Sequence, residues 1–255
     1  MSRTTKKPIG SLVGALAASL AVTACGSGDE SGAAAAGSDL PQGSEPVELD
    51  PADFTSEVDN PYWPMTPGSR WIYSETEPGE PDLKVEVTVT NKTKMIANGI
   101  EANVVHDVVT ENGEPLEVTD DWYAQDSEGN VWYMGEETAE YENGKVVTRA
   151  GSFEGGVDGA QPGIIMPANP EPGLAYRQEY YKGEAEDTGE IVSVGEQAEV
   201  PAGHYEDVLM TKDENPLEPK VLEFKFFAPE VGPVLAVDVS GSSGREELIR
   251  YEPGK

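Results

Sequence analysis

The sequence predicts an all-β protein: a single strongly curved antiparallel sheet, half-barrel or barrel, of ten to twelve strands in a meander with one long loop. Three observations predict it. Leu83, Val85, Val87 and Val89 alternate with Lys84, Glu86, Thr88 and Thr90, the period of a strand with one dry face. Turn signals recur at Asn98-Gly99, Asn112-Gly113, Glu128-Gly129 and Asn143-Gly144, spaced as the hairpins of a meander are. No long stretch repeats apolar residues at helical spacing, and 28 Gly with 20 Pro among 255 residues suit a turn-rich β chain. A twisted sheet of roughly ten strands or more has to curl.

Residues 1–24 read as a lipoprotein signal peptide. Arg3, Lys6 and Lys7 form a basic start, and Ile9 to Val22 an apolar run too short to span a bilayer. The ending Val22-Thr23-Ala24-Cys25 resembles the lipobox of bacterial lipoproteins, which implies lipidation of Cys25, palmitate included, and a chain that is anchored rather than spanning. Cys25 is the single cysteine, so no disulfide can form within the chain. Residues 25–50, rich in Gly, Ala, Ser and acids and free of aromatics, read as a flexible tether with a reach of about 25–30 Å. Residues 51–255 are expected to form one antiparallel β domain.

The formal charge is −31, and loss of the signal would remove three further positive charges. Such acidity excludes nucleic acid as a partner and disfavours adhesion to an anionic membrane surface. Solubility accounts for carboxylates spread along the whole chain. A cationic partner or divalent cations are the functional alternatives.

The centre of the domain is Trp122 to Met134. With Glu128-Gly129 as the tip, Ser127 faces Asn130, Gln125 faces Trp132, Ala124 faces Tyr133 and Tyr123 faces Met134. Alternation then puts large aromatics on both faces, so the second face is covered or lines a groove. At the Asn112-Gly113 turn, Glu111 opposite Glu114 sets Val109 against Leu116, Asp107 against Val118 and Val105 against Asp120. His106 then meets Thr119, diagonal to Asp121 on the wetter face. From Ala150 to Gly173 the periodicity breaks. Ile164-Ile165-Met166 is too apolar to leave in water, so this loop should dock beside Tyr176, Arg177 and Glu179, with Gly151 to Gly159 as a mobile gate. Strands resume from Leu174 to Tyr251.

The segments NPYWPMTPGSRWIY, DWYAQDSEGNVWYMGE, DGAQPGIIMPANPEPGLAYRQEYYKGEAED, VPAGHYEDVLMT and FAPEVGPV are similar to a family of uncharacterised bacterial secreted proteins and lipoproteins, mostly actinobacterial. The W-x-Y, VPAG and A-P-x-V-G pieces also resemble lipoprotein-carrier-like curved half-barrels. The resemblance implies an extracytoplasmic antiparallel β domain and carries over no activity.

The residues name no reaction. Neither G-x-S-x-G nor a Ser-His-Asp spacing occurs, the acids at Asp126 to Asn130 do not fit a calcium loop, and two distant histidines make no zinc site. No cofactor or metal is expected. The expectation is a lipid-anchored, monomeric binding protein of the cell envelope and no enzyme. Its ligand is a small apolar or amphipathic molecule or an envelope protein, contacting Trp122, Tyr123, Trp132, Asp158, Tyr176, Arg177 and Glu179. The alternatives are an envelope hydrolase working through carboxylates or a His106/Asp121 pair, and a scaffold with no small-molecule site.

Overall fold

The computed structural model describes residues 40–255. The signal peptide and Cys25 lie outside them. After a short 3-10 turn at Pro51–Asp53 come β1 (Phe54–Thr55), β2 (Arg70–Thr76), β3 (Leu83–Met95), β4 (Glu101–Glu111), β5 (Glu114–Asp126) and β6 (Val131–Glu142). β7 (Lys145–Thr148) precedes the stretch expected as a loop, which itself holds β8 (Phe153–Glu154) and β9 (Gln161–Met166). β10 (Ala175–Arg177), β11 (Glu179–Tyr180), β12 (Thr188–Val200), β13 (Gly203–Glu214), β14 (Leu222–Ala228), β15 (Gly232–Ser240) and β16 (Arg245–Glu252) follow. All pairings are antiparallel, in one sheet ordered β10-β12-β13-β14-β15-β16-β2-β3-β4-β5-β6-β9-β11, with β1, β7 and β8 as side branches. The two ends of that path are β10 and β11, neighbours in the chain separated by Gln178 alone. The sheet is thus nearly closed into a barrel.

The strand count exceeds the expected ten to twelve because the 150–173 stretch is part of the wall. β9 pairs with β6 on one side and β11 on the other, and Ile164, Ile165 and Met166 are buried, as their apolar character requires. Gly163 permits the closure: a Cβ there would stand 2.4 Å from the Arg177 carbonyl oxygen. The glycine-rich half is hydrogen-bonded too, Gly155 N–H to the Met134 carbonyl at 2.9 Å and Gly156 N–H to that of Ala160 at 2.9 Å.

Among the described residues, contacts with the body are already made by Leu40, Val47 and Leu49, ahead of residue 51. Arg177, one of the most deeply buried side chains, donates from one terminal nitrogen to the carbonyls of Gly43 and Glu45 at 2.8 Å each, and from the other to Pro162 at 2.9 Å. Leu40, Val47 and Leu49 pack against the core. That part of the expected tether is held on the barrel.

Each expected hairpin register is off by one residue over part of its length, next to the tip in one hairpin and beyond the first two pairs in the other. At the Trp122–Met134 hairpin, the Asp126 carboxylate accepts the amides of Glu128 and Asn130, the Asn130 side chain and the Trp132 indole. This fixes a three-residue loop with Gly129 at φ +96°, where a two-residue tip was expected. Tyr123 therefore pairs with Tyr133 and Ala124 with Trp132, and a bulge sets Trp122 against Gly135. Aromatics do occupy both faces, and the outer ones are covered: Phe54 lies edge-on to Trp132 at 6.0 Å, and the Lys94 ammonium sits 3.8 Å from the Trp122 ring centre. At the other hairpin a bulge at Leu116, between the Thr110–Pro115 and Val109–Glu117 pairs, sets His106 against Asp120 and Val105 against Asp121. His106 Nδ1 meets Asp120 at 2.7 Å on the solvent side, while Asp121 is fully buried. The expected His106/Asp121 pair does not exist, because one extra residue sends the two side chains through opposite faces.

The pairings carry an interior face around the barrel. Thr211 stands opposite Lys225, Lys225 opposite Ala236, Ala236 opposite Glu246, and Glu246 opposite Glu75. Farther round, Val87 faces Asp107, Asp107 faces Thr119, and Thr119 faces Thr138. One end of this interior is apolar. Trp63, delivered by the Pro61 to Pro64 lead-in, stands 5.7 Å from both the Tyr123 and Phe227 rings, beside Met65, Trp71, Val87 and Val105. The other end is acidic.

Candidate functional site

The acidic end gathers Glu75, Asp107, Glu117, Asp121, Glu136, Glu179, Asp187, Asp213, Glu223 and Glu246 around one lysine, Lys225. The lysine bridges Asp213 at 3.0 Å and Glu223 at 3.2 Å. Asp213 also accepts from Gln178 and Thr211, so that corner is fully compensated. The opposite wall is not. Both carboxyl oxygens of Glu246, one each of Asp121 and Glu117, and the Tyr123 hydroxyl find no hydrogen-bond partner among the described residues. Asp107 makes no hydrogen bond of ordinary geometry, and the adjacent Val108 amide offsets little of its burial.

Burial disfavours the charged form of each acid, and neighbouring carboxylates add to it. Glu75 is pushed up to about 8 by burial and then by Glu223, and Glu117 to about 8 by burial and then by Asp107. Asp107 rises to about 7 by burial, and Asp187 to about 7 by burial against the opposing pull of Lys225. Asp121, Glu136, Glu179 and Glu246 are all raised well above the carboxylate range by burial, with Glu136, Glu179, Asp187 and Glu75 respectively as the next cause. Burial works to lower Lys225, but Asp213 and Glu223 outweigh it and hold it above the ordinary lysine value.

Hydrogen counting gives the same answer at one point without any titration argument. The Tyr133 hydroxyl lies 2.7 Å from an Asp121 oxygen and 3.0 Å from a Glu136 oxygen, all three residues buried. A phenol has one proton to donate, so it satisfies one carboxylate; the other contact is filled when that carboxyl is protonated and donates to the phenol oxygen. The trio Asp121–Tyr133–Glu136 is complete as a hydrogen-bond chain with one extra proton.

Glu136 also lines a cleft of about 310 Å³ on the side of the barrel. Lys94, Trp122, Phe153, Asp158 and Tyr181 form its other main walls. β8 builds the rim by pairing Glu154 with Gly135 and Phe153 with Glu136, and Gly135 at φ +131° allows it, since a Cβ there would meet the Phe153 carbonyl at 2.3 Å. Phe153 stands edge-on to Tyr133 at 5.6 Å. The volume falls in the range of small-molecule sites, and its lining combines three aromatic residues with six polar or charged ones.

Of the residues expected to contact a ligand, Trp122 and Asp158 meet in this cleft. Tyr123 and Glu179 lie inside the barrel, Tyr176 is buried with no hydrogen-bond partner for its hydroxyl among the described residues, Arg177 holds the lead-in chain, and Trp132 is under Phe54 at the hairpin tip. The sequence reading missed Glu136, Phe153 and Lys94. Only the bulge at Trp122/Gly135 turns Glu136 inward, and its sequence signal is the lone Gly135 within a strand.

No protein-family model matches the chain. No curated protein matches it either. Among solved structures, a candidate exported protein with a YmcC-like fold from Bacteroides fragilis aligns over 75% of this chain and 99% of its own, at 14% identity and a TM-score of 0.45. A candidate lipoprotein from Parabacteroides distasonis aligns over 75% and 98%, at 14% identity and 0.44. Neither name is actinobacterial or of a lipoprotein carrier, and no residue role passes between chains at that distance.

Proposed function

We propose that this chain is a lipid-anchored, extracytoplasmic binding protein of the cell envelope that holds a small amphipathic ligand in the cleft beside Trp122. The cleft carries the reading: about 310 Å³, lined by the rings of Trp122, Phe153 and Tyr181 together with ionisable groups, Glu136 buried and Asp158 exposed among them. The anchor rests on Val22-Thr23-Ala24-Cys25 and its basic and apolar leader. Cys25→Ala should shift the chain out of the membrane fraction, and unchanged fractionation would refute the anchor. For the cleft, 2-phenylethanol serves as a neutral amphipathic probe. Its binding, followed by NMR line broadening, should be lost in Trp122→Ala and kept in Trp132→Ala, whose ring lies elsewhere. Equal loss in both variants, or no binding to the native chain, refutes the cleft as the site.

A further inference from the structure

We propose that the cleft takes an organic cation, its ammonium seated against Glu136 and Asp158 and its apolar part against Trp122, Phe153 and Tyr181, and that seating it releases the proton Glu136 shares with Asp121. This rests on the reading of the cleft as the binding site and adds the charge of the ligand.

The charges lining the cleft are unequal. Glu136, Glu137, Glu154 and Asp158 face one ammonium, Lys94. Two of these acids are accounted for: Glu154 pairs with Lys94 at 3.0 Å, and Glu137 with Arg149 at 2.9 Å. Asp158 makes no ion pair among the described residues, and Glu136 has only Tyr133. The uncompensated charge therefore sits at the floor and one rim of an aromatic cleft, where an anion would be repelled and a cation desolvated by carboxylates and rings together. The chain itself shows that this wall accepts an ammonium, since Lys94 lies over the Trp122 ring and reaches Glu154.

The Asp121–Tyr133–Glu136 chain adds a consequence. Around Glu136 stand Asp121 and Glu117 from β5, Glu179 from β11 and Asp187 ahead of β12, all acidic; Lys94 on β3 is engaged with Glu154. With Lys94 held by Glu154, Glu136 and Asp121 cannot both be ionised without placing two negative charges on one phenol. An ammonium beside Glu136 removes that obstacle. The carboxylic acid O–H ionises, its proton leaves to solvent through the open cleft, and Tyr133 O–H remains to donate to one of the two carboxylates.

The test uses the full chain and three near-isosteric probes: 2-phenylethylamine, 2-phenylethanol and phenylacetate. At pH 7 and low salt the amine should bind at least tenfold more tightly than the alcohol, and phenylacetate more weakly than either. Glu136→Gln should cut the preference for the amine below threefold. Should that variant fail to fold, Asp158→Asn, at an exposed rim position, should reduce it by about threefold. Calorimetry of the amine in phosphate and in Tris should differ by the heat of ionising close to one proton per site, while the alcohol shows no difference. Equal binding of amine and alcohol overturns the cation assignment and leaves the binding site standing; no binding of any probe overturns both. An amine preference with no proton released overturns the coupling to Asp121.

Discussion

The two ends of the barrel interior are built from the same strands and solve burial in opposite ways. Along β2 the inward positions run Trp71, Tyr73, Glu75; along β14 they run Phe227, Lys225, Glu223; along β5 they run Tyr123, Asp121, Thr119, Glu117. At the Trp63 end, rings fill the space, and the polar atoms of Trp71 and Tyr73 reach the Val231 and Pro233 carbonyls at 2.7 and 3.0 Å. Two residues beyond the last ring of each strand the packing gives way to carboxyls outnumbering their one lysine. The apolar end has the character of a core that fixes the fold. The acidic end gives up stability at neutral pH, which is the usual mark of groups retained for something other than holding the chain together.

Breaking the apolar end should cost most. Trp63→Ala removes the ring that joins Tyr123 to Phe227, and urea unfolding should show a loss of about 3–5 kcal/mol at any pH. At the acidic end, Lys225→Met leaves Asp213 and Glu223 without their cation and should cost about 3–4 kcal/mol at pH 8. The loss should shrink at pH 5, where protonation can neutralise the acids instead. A pH-independent loss would mean the lysine stem, not its charge, does the work.

The pH dependence of the native chain separates the two ends further. Acids with raised folded values bind protons more tightly folded than unfolded. Their stability contribution is full below about pH 4 and is lost as pH climbs through the folded values of about 7 for Asp107 and Asp187 and about 8 for Glu75 and Glu117. Melting should therefore occur at a lower temperature at pH 8 than at pH 5, the reverse of a protein whose acids sit in salt bridges. Asp107→Asn should remove about 3 kcal/mol of that difference. A native chain equally stable at both pH values would show that the acidic end is wetter than its burial implies. The smallest effect belongs outside the barrel: His106→Ala breaks a half-exposed pair with Asp120 and should change stability by about 0–1 kcal/mol.

The misplaced His106/Asp121 pair shows where legibility stopped. The alternation of β3, the turn glycines and the docking of Ile164 to Met166 were readable, because each depends on residues close in sequence. Both hairpin registers were readable only to within one residue, since a Gly129 loop or a bulge at Leu116 is set by what the neighbouring strand needs. One residue is enough to turn every side chain beyond it through the sheet. That slip is why Glu117 and Asp121 turn inward beside Asp107, an interior acidic face that alternation from the turn did not reveal as a whole.

By itself the sequence determined the all-β class and the curl of a long antiparallel sheet, since strand period and turn chemistry are local properties. Tertiary structure alone decided that the expected loop is wall, that Arg177 binds carbonyls of the lead-in chain, and that Glu136 meets Asp121 across one tyrosine beside a cleft. Those outcomes depend on which residues become neighbours when the sheet bends back on itself, and curvature brings together positions such as Pro162 and Glu179 through register and closure, quantities that no local pattern carries.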